Sequence, residues 1–108
     1  MNNKKMGYYL KTFNTKNLAD LDLKQGNDLL ARVIDDFKNG ELTLDELSVF
    51  GSKIFHNIAK NKGEGSDLFF ISLSLADLGF EIRNSASYEN IPQTLKDIDI
   101  FLDKYKKS

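Results

Sequence analysis

The sequence predicts an all-α fold: an antiparallel bundle of about four helices with an N-terminal arm or short extra helix. Three observations carry that prediction. Apolar residues recur at helical spacing through most of the chain from Asn27 onward. Residues suited to capping a helix start stand just ahead of those runs. A single proline in 108 residues leaves the runs uninterrupted, and that length suits one domain rather than two.

Residues 1–26 form the arm or short helix. Tyr8, Tyr9, Leu10 and Phe13 offer apolar surface for a short helix, a strand or a segment laid across the bundle. The helical domain is expected over residues 27–108. Its first helix takes Asn27 as N-cap, and Leu29, Leu30, Val33, Ile34 and Phe37 fall on one stripe. Asn39-Gly40 supplies the left-handed residues that end such a helix.

The second helix is better defined at its start. Thr43 and Glu46 have the spacing of a capping box, and Leu42 and Leu47 stand where a hydrophobic staple needs them. Leu44, Leu47, Phe50, Ile54, Phe55 and Ile58 make one apolar face, which stops in the polar stretch 60–63. Ser66 caps the third helix, with Asp67 favourable in its first turn. From Leu68 to Phe80 apolar side chains cover nearly the whole circumference, which places this helix in the middle of the bundle. Ile71-Ser72-Leu73-Ser74-Leu75 alternates as a strand does, but the length of the pattern and the cap favour a helix. Residues 83–90 read as a polar loop. The fourth helix opens near Pro92 and carries a stripe of Ile91, Leu95, Ile98, Leu102 and Tyr105.

Composition excludes several kinds of chemistry. There is no cysteine, so disulfides, thiolate catalysis and Cys-based metal centres are out, and a reducing compartment is suitable. No apolar run has the length of a signal-peptide core or a membrane span, so a soluble cytoplasmic protein is expected, with no membrane partner. Net charge is −1, yet it is unevenly spread. Lys4, Lys5, Lys11 and Lys16 have no acidic neighbour within residues 1–16, whereas residues 20–46 hold eight acidic residues against three basic ones. An overall basic footprint for nucleic acid is missing. The plainest reading of the charge is a solvated acidic face beside a basic arm.

The segment 35–50 has the outline of a calcium loop, with Asp35 at position 1, Gly40 at 6 and Glu46 at 12. Position 3 is Phe37, which has no oxygen to give and completes the apolar stripe of the first helix. Glu46 has a sufficient use in the capping box. The segment is read as a corner between helices, with an EF-hand-like calcium-responsive module kept as an alternative, and neither metal nor cofactor is expected.

Catalysis needs a nucleophile, an acid–base pair or a metal. His56, the single histidine, falls on the polar side of the second helix. Asp35-Asp36, Asp45-Glu46 and Asp97-x-Asp99 are carboxylate pairs of the kind that decorate solvated helix faces. No phosphate-binding glycine loop, zinc-protease motif or serine elbow is present. The chain is therefore expected not to be an enzyme. Tyr88 stands in the polar loop, where tyrosine favours an interface.

A helical module that binds a cationic protein remains, since an anionic surface speeds such docking. The stretch LLARVIDDFKNGELTLDELSVFGSKIF resembles the "helix, F-x-x-G-x-[IL]-[ST], helix" opening of colicin D-type immunity proteins. The layout is similar to that of the small helical immunity proteins of colicin-type and contact-dependent growth-inhibition toxins. The resemblance covers residues 29–60, and the remainder only in size and helix count; the long N-terminal arm departs from it. It implies a protein that binds one nuclease-type toxin domain and blocks its active site in the producing cell. It points to Asp35, Asp36, Glu41, Asp45 and Glu46 as contacts, and Asp28 and Tyr88 complete the candidate partner-binding residues. The expected state is a monomer or weak homodimer, and a self-associating structural protein is the other alternative.

Overall fold

In the computed structural model, which describes residues 6–84 and 91–106, each long helix from α2 to α5 begins where a side chain takes up the amides of its first turn. Helix α1 (Met6–Leu10) runs into a 3-10 turn (Lys11–Phe13), and a second 3-10 turn follows (Leu18–Asp20). Then come α2 (Leu23–Lys38), α3 (Leu44–Ile54), a π-helical segment (Phe55–Ala59), α4 (Lys60–Lys62), α5 (Asp67–Arg83) and α6 (Ile91–Lys106). Among the described residues every regular element is helical, so the fold is the expected all-α bundle with a short N-terminal helix.

The caps fix the boundaries. Thr43 Oγ1 accepts the Glu46 amide at 3.1 Å while Glu46 Oε1 accepts the Thr43 amide at 2.8 Å, the reciprocal pair that the sequence predicts. Ser66 Oγ accepts the Phe69 amide at 3.2 Å, again as predicted. The first long helix differs. Its N-cap is Asp22, not Asn27: Asp22 Oδ1 accepts the Gln25 amide at 2.8 Å and Gln25 Oε1 accepts the Asp22 amide at 2.9 Å. A complete capping box satisfies two backbone donors, more than a lone asparagine offers, so α2 starts earlier and Asn27 lies inside it.

The interior is built from the predicted stripes. Leu29, Leu30, Val33 and Ile34 of α2 and Leu47, Ile54 and Ile58 of the second helical stretch have no exposed surface, and Leu68, Leu75 and Ile98 join them. Phe37 packs half-buried against this core. The N-terminal lead-in belongs to it as well. Tyr9, Leu10, Leu18 and Leu21 are buried, and the Lys62 amine donates to the carbonyls of Ala19 at 2.7 Å and Leu21 at 2.6 Å. From Met6 onward the arm is therefore a packed short helix and two turns.

α3 and α5 lie antiparallel at very close range. A Cβ on Gly51 would stand 2.4 Å from the Cβ of Leu75, and one on Gly79 would stand 2.7 Å from Ser48 Oγ. Ser48 and Ser72 are fully buried at or beside this contact. Each hydroxyl is satisfied within its own helix: Ser48 donates to the Asp45 carbonyl at 2.6 Å and Ser72 to that of Leu68 at 2.5 Å. The Ile71–Leu75 alternation is thus helical, and the serines are small spacers rather than one face of a strand.

Two expectations about these helices are corrected. α5 is not enclosed on all sides: Phe70 is 57% and Phe80 63% exposed, because α5 has more apolar circumference than neighbours to cover it. The second helix is not a continuous α-helix either. At Phe55–Ala59 the Lys60 amide reaches back to the Phe55 carbonyl, an i→i−5 bond that fits an additional residue into the turn. That widening accommodates Ile54, Ile58 and Ala59 in the interior together. In α6, Thr94 and Phe101 are buried beside the predicted Ile98 and Leu102, which broadens the stripe.

Candidate functional site

The candidate acidic residues fall into two groups. On the last turns of α2, Asp35 and Asp36 are half-buried and line a depression of about 150 Å³ together with Tyr8, Tyr9 and Arg32. The lead-in helix closes over them. Tyr9 is 2% exposed, and its hydroxyl donates to Asp36 Oδ2 at 2.6 Å. Nearby, Arg32 Nη1 donates to Thr12 Oγ1 at 3.0 Å and its guanidinium sits over the Phe13 ring, 6.0 Å from the centroid. Burial pushes the Tyr9 phenol far above the ordinary tyrosine range, and the hydrogen bond to Asp36 and the charges of Asp36 and Glu41 push it further. Asp36 thus anchors the lead-in by its bond to the phenol.

The second group stands at the start of α3. Glu46 is held by its capping box, and exposed Asp45 lies 3.3 Å from Arg83 Nη1 at the end of α5. Glu41 occupies the corner between α2 and α3, where Gly40 takes a φ of +82°, a conformation suited to glycine. Asp28 lies half-buried on α2, nearer its start. The structure gathers Asp35, Asp36 and Glu41 about the lead-in tyrosines and sets Asp45 toward α5. Tyr88 lies outside the described residues.

This geometry also bears on the loop-like outline of residues 35–50. α2 continues to Lys38, so the first positions of that outline are helical, with Phe37 turned to the core and Glu46 bonded to Thr43. Among the described residues, no group of three or more His, Asp or Glu side chains is placed to hold a metal ion. His56 is exposed, its ring edge-on to Phe55. The Asp97-x-Asp99 pair splits, since residues two apart on a helix face different ways. Asp99 pairs with Lys38 of α2, whereas Asp97 lies between α5 and α6.

Sequence reasoning missed Tyr9 and Arg32, which join the lead-in to the acidic turn. The signal for Tyr9 was the Tyr8-Tyr9 doublet, of which one ring is exposed and the other buried edge-on against Phe50. Arg32 lies off the apolar stripe of the first helix, and nothing in its neighbours along the chain marks it. Among the described residues no helix is long and apolar enough to cross a membrane. Compared with protein-family models, with curated proteins and with solved structures, the chain matches none.

Proposed function

We propose that this chain is a non-catalytic, cytoplasmic protein-binding module, an immunity protein that neutralises a cationic, nuclease-type bacterial toxin through the acidic α2–α3 surface. The observation that carries the reading is the charge imbalance of residues 20–46, eight acidic side chains against three basic ones, on α2, α3 and the turns that lead into them, anchored to one core. A pre-ordered anionic surface loses little conformational freedom on docking, and its field raises the encounter rate with a basic partner by about 10- to 1,000-fold at low salt. Asp28, Asp35, Glu41 and Asp45 are the residues assigned to contact. Asp36 and Glu46 act by holding the lead-in and the α3 start in place.

The test is association kinetics against a panel of basic bacterial nuclease-toxin domains at two salt concentrations. A cognate domain is expected to bind with an on-rate that falls steeply with salt. Neutralising Asp28, Asp35, Glu41 and Asp45 together is expected to slow association about tenfold or more. Tight binding with unchanged kinetics after that neutralisation would remove the α2–α3 surface from the interface.

A further inference from the structure

We propose that the groove between α5 and α6 is a docking site for a cationic amphipathic helix of a partner protein. Its apolar side chains would seat on Phe70 and Ile100, and its basic ones would face Asp77, Glu81 and Asp97. This surface differs from α2–α3, and the inference does not rest on the function proposed for that hairpin.

The two helices run antiparallel, with their relative position pinned at one end by Asp67, which accepts from the Lys104 amine and from the Tyr105 hydroxyl. That clasp borders a cavity of about 220 Å³ lined by Phe70, Ile71, Ile100 and Phe101 together with Asp67, Asp97 and Lys104, the lysine being paired with Asp67. Phe70 and Ile100 are 57% and 60% exposed and line the same concavity, one from each helix. A second cavity of about 170 Å³ continues the groove, with Asp97 common to both. Its lining contains Asp77, Glu81 and Asp97 and, among the described residues, no lysine or arginine.

On α5, Phe70, Asp77 and Glu81 follow the i, i+7, i+11 spacing of one helix face, so the groove is a continuous strip about 17 Å long at 1.5 Å per residue. One end is apolar and the other anionic. The occupant that complements both is a helix of about three turns with apolar residues toward one end and lysine or arginine toward the other.

A second copy of this chain fits less well. Two-fold pairing centred on Asp97 sets each copy's carboxylates over the other's Phe70–Ile100 end. Pairing centred on Phe70–Ile100 leaves the carboxylates outside the contact. Neither arrangement complements the whole groove.

The experiment is an NMR titration of the isotope-labelled full chain with a synthetic Leu/Lys helical peptide of about 14 residues, long enough to span the groove. Leu/Glu and Ser/Lys peptides of the same pattern are the controls. The Leu/Lys peptide is expected to shift amide signals of residues 70–81 and 93–104 and to bind at least about tenfold more tightly than either control. Phe70→Ser and Ile100→Ser are each expected to weaken it about tenfold while retaining a wild-type spectrum. Asp77→Asn with Asp97→Asn should weaken it and flatten its salt dependence. A variant neutralised at Asp35, Glu41 and Asp45 should bind the peptide as wild type does, which separates this site from the α2–α3 surface. The proposal is overturned if Ser/Lys binds as well as Leu/Lys, or if the shifts centre on α2 and α3. It is equally overturned if the groove signals instead change with protein concentration and Phe70→Ser abolishes that change, for the occupant is then a second copy.

Discussion

The two long sides of α5 are made of similar side chains and end in opposite environments. Toward α3, Leu75 is buried, and the backbones approach so closely that Gly51 and Gly79 have no room for a Cβ. Away from α3, Phe70 and Phe80 remain more than half exposed. Hydrophobicity alone therefore does not decide burial along this helix. What decides it is whether a neighbour can approach, and on the α3 side Gly51, Gly79, Ser48 and Ser72 make that approach possible. On the other side the apolar surface has no described neighbour of that kind, which leaves it available for recognition.

The sharpest way to break this contrast is to fill the close contact. Gly51→Val places a Cβ against the Cβ of Leu75, a rigid part of the facing side chain, and is expected to destabilise the fold by about 3 kcal/mol. Leu75→Ala attacks the same contact from the opposite side by leaving a void, with an expected loss also of about 3 kcal/mol. Urea denaturation measures both. If Gly51→Val folds with wild-type stability, α3 and α5 are not in contact there and the contrast fails.

Tyr9→Phe sharpens the picture at a polar contact. It removes a hydrogen bond to a carboxylate, with an expected loss of about 1.5 kcal/mol. It also alters the response to alkali. The folded state holds the phenol protonated well above the ordinary tyrosine value near 10, so the unfolded chain releases this proton first. Stabilisation from this group is complete below about pH 10 and falls above it, by up to about 1.4 kcal/mol per pH unit. The stability gap between wild type and Tyr9→Phe should accordingly narrow as pH rises past 10, as denaturation at several alkaline pH values will show. Smallest of all, Phe70→Ser and Ile100→Ser on the exposed side are expected to change stability by no more than about 0.5 kcal/mol. A loss as large as that of Leu75→Ala would show that this face is part of the core.

Local features were legible in the sequence because their physics is local. The Thr43–Glu46 box and the Ser66 cap involve residues three apart, and the α2 and α6 stripes need only helical periodicity. The α2 start was misplaced because Asp22 and Gln25 sit in a stretch with few apolar markers, while Asn27 stands directly before a dense run. The burial of Ser48 and Ser72 was not legible, since nothing in their neighbours along the chain reveals that a second helix passes over them. The candidate site shows the same division. Its charges were countable, but which carboxylates are engaged depends on partners far along the chain: Asp36 meets Tyr9 at a separation of 27 residues and Asp45 meets Arg83 at 38.

The widened turn at Phe55–Ala59 gives this chain a spare residue inside a helix. Deleting a single residue there would let an ordinary α-helical turn close, where the same deletion elsewhere in a helix shifts a whole face. The stretch beyond it would keep its present facing, and the Lys62 amine would stay within reach of the two carbonyls it grips. Such a shortened chain would keep both fastenings of the N-terminal lead-in, that lysine clamp and its own buried leucines.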